Sequence, residues 1–340
     1  MEISYIEPGD TASLDALYDV YIAAFDHDVP RGMSLSRDQV HVEYERGWPM
    51  REVRHYLLRD GNGAAVAGGS ISLFRNTNTE SAGLDIVTDP GHRRKGYGTA
   101  VYEHLLGVAR AEGRGHLLAG THAPLNDADD GHDDAGRLFA EKLGFDLALT
   151  VVNRVFAVDS LSPEREAELF DRADAKASAD YELRTWTGPA PEELQEGLAR
   201  IDSSIMAEVP LGDIDLEPAK IDVDQRKYTN ETRRLGGYDH VQTVAIHRGT
   251  GDLVANTVLL ADRERPLAYQ GITIVNPGHR GHRLGQWLKI ANLRALKETK
   301  PHVAEVYTDN ADVNAHMNAI NEAMGFRPLD LALEYQKKLS

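Results

Sequence analysis

The chain contains one ten-residue segment twice, and that repeat constrains its fold more than any other feature. Residues 89–98 read Asp-Pro-Gly-His-Arg-Arg-Lys-Gly-Tyr-Gly, and residues 276–285 read Asn-Pro-Gly-His-Arg-Gly-His-Arg-Leu-Gly. Pro, Gly, His, Arg and the final Gly match in register, since 280 − 93 and 285 − 98 both give 187. Each copy follows a β-branched apolar run, at 84–88 and 271–275, and precedes an amphipathic helical stretch. A strand that turns through a Gly/Arg-rich loop into a helix is a device for holding phosphates. Backbone N–H groups crowd at the helix start, and the helix dipole favours negative charge there. Two such devices imply a duplicated nucleotide- or coenzyme-binding domain.

At 340 residues the chain is too long for one small core and suits two domains. Its apolar runs fall short of the roughly 20 residues of a membrane span. Residues 1–7 are acidic and strand-like, unlike a signal peptide. The expectation is a cytoplasmic protein with no membrane partner. The lack of Cys excludes disulfides, thiolate metal sites and a Cys nucleophile. A formal net charge of −17 argues against nucleic acid, whose phosphates need a basic face. The same charge suits a cationic substrate, although it also serves plain solubility. No His-Glu-x-x-His segment or EF-hand loop occurs, and His116, His122 and His132 are spaced too loosely for ligation, so no metal is expected. A homo-oligomer is compatible with the sequence.

The halves read alike beyond the loops. In the first, a strand over 3–7 leads to a helix over 13–25, with Leu14, Leu17, Tyr18, Tyr21 and Ile22 at helical spacing. Strands 53–59 and 64–74 meet at Asp60-Gly61-Asn62-Gly63, a hairpin signal. Then come strand 84–88, the loop, helix 97–112, strand 115–119, helix 133–143 closed by Gly144, and strands within 145–158. The second half predicts strand 181–185, helix 191–206, a helix around 222–235, and strands 240–248 and 252–261. Strand 267–275, the loop, helix 284–298, strand 303–308, helix 312–324 closed by Gly325, and strands from 326 to 338 follow. Gly144-Phe145 and Gly325-Phe326 are a second internal match. Residues 160–180, rich in Glu, Asp, Ala and Lys, read as a charged helical linker. The expected organisation is α/β (α+β): domains 1–159 and 181–340, each a twisted mixed sheet flanked by helices, joined by linker 160–180.

This order of elements, with Arg93-x-x-Gly96-x-Gly98 at the strand–helix junction and a later helix ending Gly144-Phe145, resembles the GCN5-related N-acetyltransferase (GNAT) family. The resemblance covers nearly the whole chain, twice, as in a tandem member. It implies an acetyl-CoA-dependent N-acetyltransferase that acts on a primary amine of a small molecule by direct attack in a ternary complex. It implies that backbone N–H groups of Arg94, Lys95, Gly96, Tyr97, Gly98 and Thr99 cradle the pyrophosphate, with Arg93, Arg94 and Lys95 adding positive charge. The strand before the loop would splay from its neighbour at a bulge and bond the pantetheine arm through Ile86, Val87 and Thr88. The counterparts in the second half are Thr273, Ile274 and Val275 on the strand, then Arg280, Gly281, His282, Arg283, Leu284, Gly285 and Gln286.

Two departures stand out against the family pattern. Arg283 replaces the middle Gly, where it either obstructs the pyrophosphate or pairs with it. Many members carry a Tyr four residues ahead of the Gly-Phe glycine, as general acid toward the departing thiolate. Ala140 and Asn321 hold that place here, and neither can serve as that acid.

For the chemistry, Asp85 lies in an apolar strand beside the expected bulge and shares a face with Val87. It reads either as the catalytic base or as a salt-bridged or edge-exposed carboxylate. His122 reads either as facing the cleft or as a scattered surface histidine. Asn310, Asn314 and Asn321 join Thr308 and Asn318 in a polar cluster, with Asn314, Asn318 and Asn321 on one helix face. Asn321 is the catalytic candidate there, and Asn310 and Asn314 are coenzyme contacts; the alternative is helix capping and a solvated face. Segments 27–33 and 208–213 lie where family members build acceptor lids. Three other readings stay open: one catalytic and one structural domain, a non-catalytic acyl-CoA-binding sensor or assembly module, or a protein-lysine acetyltransferase, whose lysine target the acidic charge would suit.

Overall fold

A computed structural model describes residues 1–125, 135–204, 212–217 and 220–339. They form two mixed α/β units. One comprises Met1–Val152, Leu211–Glu217 and Leu329–Ser340; the other comprises Asn153–Pro210 and Pro218–Pro328. His132, residues 133–134 and 205–206 of two expected helices, and 208–211 of the expected second lid lie outside the described residues.

In the first unit β1 (Glu2–Tyr5), β2 (Arg51–Arg59), β3 (Ala65–Phe74), β4 (Ser81–Thr88), β5 (His116–Ala123) and β12 (Arg327–Lys338) stand side by side in that order. Helices α1 (Thr11–Asp28) and α2 (Arg37–Arg46) cover one face and α3 (Tyr97–Ala111) the other, while α4 (Ala135–Lys142) packs beside β5. Strand alternation decides which residue meets which helix. Leu57 packs with Ile6, Leu14 and Leu17 on the α1 side, and its neighbour Leu58 joins Ile71, Leu105 and Leu117 on the α3 side. The β2–β3 turn closes because Asp60 Oδ1 accepts from the backbone N–H groups of Asn62 and Ala64, and Gly63 takes a φ of +83°.

In the second unit the order is β6 (Asp146–Ala157), β11 (Glu305–Ala311), β10 (Leu267–Val275), β9 (Leu253–Asp262), β8 (Tyr238–His247) and β7 (Tyr181–Thr187), with β6 contributing from Asn153 onward. Every residue of β9 is buried, as expected of a strand covered on both faces. Helix α6 (Gln195–Ser203) meets Val244 through Leu198 and Ile201. Helix α8 (Leu284–Thr299) meets Ala245 from the other side through Trp287 and Leu288. Helices α5 (Pro163–Ala177), α7 (Val223–Leu235) and α9 (Ala315–Met324) complete the unit.

The structure corrects the expected boundaries in two places. Residues 160–180 are not a linker: α5 buries Leu169, Ala173 and Ala177 completely, in a four-residue rhythm, within the core that includes α8. The stripe is mostly alanine and hides among charges. The last strand does not stay with 181–340 either. From Leu331 to Lys338 it pairs antiparallel with β5 of the first unit, a long-range choice that no local pattern encodes. No described helix is long and apolar enough to cross a membrane.

Candidate active site

The first cleft exists because two parallel strands part. β4 and β5 run side by side from Ser81–His116 to Leu84–Ala119. Beyond that point β4 keeps only β3 as partner and β5 keeps β12. A cleft of about 500 Å³ opens between the parted ends, walled by Ile86, Val87, Thr121, His122 and by Tyr21 and Phe25 of α1. The expected bulge is not needed here, since β3–β4 pairing runs unbroken from Ala67–Thr88 to Leu73–Ala82.

Asp85 faces this cleft. Asp85 is exposed to the cleft, and desolvation by the cleft walls pushes its pKa up against the opposing effects of the Ser70 hydrogen bond and Arg51. Ser70 Oγ donates to Asp85 Oδ2 at 3.2 Å. Among the described residues no ion pair holds Asp85, so the salt-bridged reading falls. His122 also lines the cleft; its Nδ1 lies 2.9 Å from Asp330 Oδ1 and its ring stands edge-on to Phe25. Burial lowers His55, behind Ser70, to about 4, so it is neutral at pH 7. Asp330 and the cleft-lining Glu334 come from β12 and were not foreseen. The signal was present: Asp330, Ala332 and Glu334 alternate with Leu331, Leu333 and Tyr335, which face the core.

The loop after β4 is shaped for an anion. Asp89 Oδ1 accepts from Gly91 N–H, and the chain then passes through left-handed conformations at Arg94 (φ +63°) and Gly96 (φ +86°). α3 starts with no side-chain cap, which leaves first-turn N–H groups of Tyr97, Gly98 and Thr99 for a ligand. A Cβ on Gly98 would come within 3.3 Å of Thr88 Oγ1. Arg93 is already engaged: its guanidinium bonds both Asp28 oxygens (2.8 and 2.6 Å), tying the loop to the end of α1. Arg94 and Lys95 are exposed, and Lys95 Nζ donates to the Gly91 carbonyl. Asp28 and Val29, from the expected first lid, line the cleft.

The second loop follows the same trace. Gly281 (φ +85°) and Arg283 (φ +60°) stand where Arg94 and Gly96 stand in the first, so glycine and arginine have exchanged the two left-handed positions. Arginine there costs roughly 1 kcal/mol relative to glycine, and the path is kept. α8 also begins uncapped. A cleft of about 960 Å³ is lined by Thr273, Ile274, Val275, Arg280, Gly281, Arg283, Leu284, Gly285, Gln286 and Asn314. Here β10 does carry the expected bulge, its register with β9 shifting between Gln270 and Thr273.

Other expected residues lie elsewhere. His282 packs against the Tyr181 ring. Asn314, which lines the second cleft, is also tied up as the cap of α9, its Oδ1 accepting from Met317 N–H at 3.2 Å. Asn321 is wholly buried; it donates to Asn310 Oδ1 and accepts from Lys289 Nζ at 2.7 Å. Its place in that closed cluster keeps it from reacting atoms. The acceptor side of this unit is filled as well. Arg226 donates to Asp202, Gln195 and Gln242 at 3.0, 3.0 and 3.3 Å, and Asn256 links Gln242 to Asp202. Gln242 and Asn256 hold the register positions that His55 and Gly68 hold in the first unit, and Ile272 follows Asp85 by the repeat spacing.

The profile of the acetyltransferase (GNAT) family matches residues 14–145. No curated protein sequence matches the chain. Among solved structures, a tandem GNAT protein from the clavulanic acid biosynthesis pathway is 24% identical over 99% of this chain and 98% of its own, with a TM-score of 0.81. A GCN5-related N-acetyltransferase from Sphaerobacter thermophilus is 12% identical over 99% and 95%, with a TM-score of 0.66. A glucosamine N-acetyltransferase region of a fungal multi-domain GH3 β-N-acetylglucosaminidase is 14% identical, with a TM-score of 0.69 over 98% of this chain and 38% of that longer one.

Proposed function

We propose, from the match of residues 14–145 to the acetyltransferase (GNAT) family and from the tandem GNAT fold, that this chain transfers an acetyl or short acyl group from acetyl-CoA to a primary amine of a small molecule, in the cleft of its first unit. The observation that carries this reading is Asp85, a carboxyl of raised pKa at the point where β4 and β5 part.

Acetyl-CoA supplies the thioester carbonyl. The uncapped start of α3 would hold its pyrophosphate, and the unpaired edge of Ile86, Val87 and Thr88 offers strand-like bonds to its pantetheine amides. Asp85 takes a proton from the amine nitrogen, directly or through a water, as the C–N bond forms; a raised pKa suits a base that works near neutral pH. When the C–S bond breaks, the thiolate takes a proton from the product ammonium or from His122, whose ring Asp330 orients. Among the described residues the cleft lining includes Asp85 and Glu334, with Asp28 already paired to Arg93, but neither Lys nor Arg, which favours a cationic acceptor.

The test is coenzyme A release with a panel of primary amines. Wild type should turn over at least one amine, and Gly98→Glu, which sets a carboxylate at the α3 start, should lose activity by about 100-fold or more. Activity retained in Gly98→Glu would move transfer to the second unit. Silence across the panel would favour a non-catalytic coenzyme-binding module.

A further inference from the structure

The two clefts divide charge between them. The second unit's cleft is lined by Arg172, Lys176, Arg280 and Arg283 and by no carboxylate among the described residues, in a chain of net charge −17. Arg280 and Arg283 belong to the loop, where a pyrophosphate at the uncapped α8 start accounts for them. Arg172 and Lys176 belong to α5 and call for a further anion.

Their position is not accidental. They lie one helical turn apart, each next to a buried alanine, Ala173 and Ala177, in the core cluster with Leu284, Trp287 and Leu288 of α8. That packing fixes the roll of α5 and turns the two cations toward the start of α8. Both are exposed. Glu168, the acid that senses Arg172, is already paired with Arg165 at 2.6 Å. Two cations on one wall, neither ion-paired among the described residues, match a phosphomonoester, which carries close to two negative charges near neutral pH.

We propose that α5 makes the second cleft a reader of the 3′-phosphate of coenzyme A, with the pyrophosphate on the α8 start and the phosphomonoester between Arg172 and Lys176. This rests on reading the paired loops as coenzyme sites. The Arg226–Asp202 network closes the acceptor side, and Ile272 replaces the base. This unit therefore holds the coenzyme and does not transfer from it.

The test is calorimetric titration of the full chain carrying Gly98→Glu, which silences the first loop, with coenzyme A and with 3′-dephospho-coenzyme A. One coenzyme A should bind per chain, about tenfold or more tighter than the dephospho form. Arg172→Ala with Lys176→Ala should bring coenzyme A down to the dephospho level and leave the dephospho form unchanged. Equal binding of the two ligands, equal weakening of both by the double variant, or no binding would overturn the proposal. In the wild-type background only one of two binding events should respond to the α5 substitutions, so the result does not depend on how Gly98→Glu folds. Discrimination between the ligands without turnover of any amine would sink the transfer reading alone. Turnover without discrimination would sink this one alone.

Discussion

Asp85 and Lys289 are ionisable groups held where protein opposes their charge, and the two carry opposite consequences. Desolvation raises Asp85, so the native state binds its proton more tightly than the unfolded chain does. The stability it contributes is whole below the unfolded carboxylate value and is lost as pH rises through the folded one. Asp85→Asn keeps an acceptor for Ser70 and removes the charge. It should melt higher than wild type at neutral pH while losing about 10²- to 10⁴-fold in kcat/KM. The wild-type rate should climb with pH through the raised Asp85 value. A variant that is both active and unchanged in melting would show the carboxyl to be a bystander. Lys289 is the converse. Burial lowers it to about 7, and its amine donates to Asn321 beneath the Phe326 ring. From about pH 7 up to the ordinary lysine value of 10.5 the unfolded chain binds the extra proton, so stability rises with pH across that window and falls as pH drops through 7. Denaturant midpoints from pH 7 to 10 should show this slope in wild type and a flatter one in Lys289→Met.

At the scale of elements, α5 decides between a tether and a wall. Leu169 is fully buried, so Leu169→Ala should cost about 2–5 kcal/mol in denaturant unfolding; a cost below about 0.5 kcal/mol, typical of surface sites, would restore the linker reading. The miss has a physical reason. A stripe built on Ala173 and Ala177 buries helix surface without adding the large apolar residues that mark periodicity. Elements with local signatures were legible: β10 over 267–275 and the start of α8 at residue 284 match the expectation, because alternation and turn chemistry are short-range. The strand–loop–helix turns of the two repeats were legible for the same reason. What could not be read was which cation was free. Arg93 is taken by Asp28, 65 residues away, and the two cations that face the second cleft from α5 sit outside the repeated segment altogether.

At the scale of the whole molecule, the first unit is completed by the end of the chain. Asp330 reaches His122 across 208 residues of sequence, and Leu333 and Tyr335 bury in the same core as Leu58 and Leu105. Duplication yields two closing strands of similar pattern, β6 and β12, and local sequence cannot say which sheet each one joins. The consequence is testable by cutting. A chain ending at residue 326 leaves β5 an unpaired edge, strips two large apolar side chains from a core and removes the partner of His122. Losing the two core side chains alone costs more than about 4 kcal/mol, a large part of a domain's usual stability. The truncated chain, and a fragment of residues 1–159, should therefore bind a hydrophobic dye, exchange their β5 amide hydrogens quickly and release no coenzyme A. A peptide of residues 327–339 added in trans should slow that exchange. If fragment 1–159 instead unfolds cooperatively with protected β5 amides, β12 is dispensable and the domain ends where the sequence pattern placed it. Slow exchange only in the presence of the last strand would mean that this candidate active site cannot form until the whole chain, second unit included, has been made.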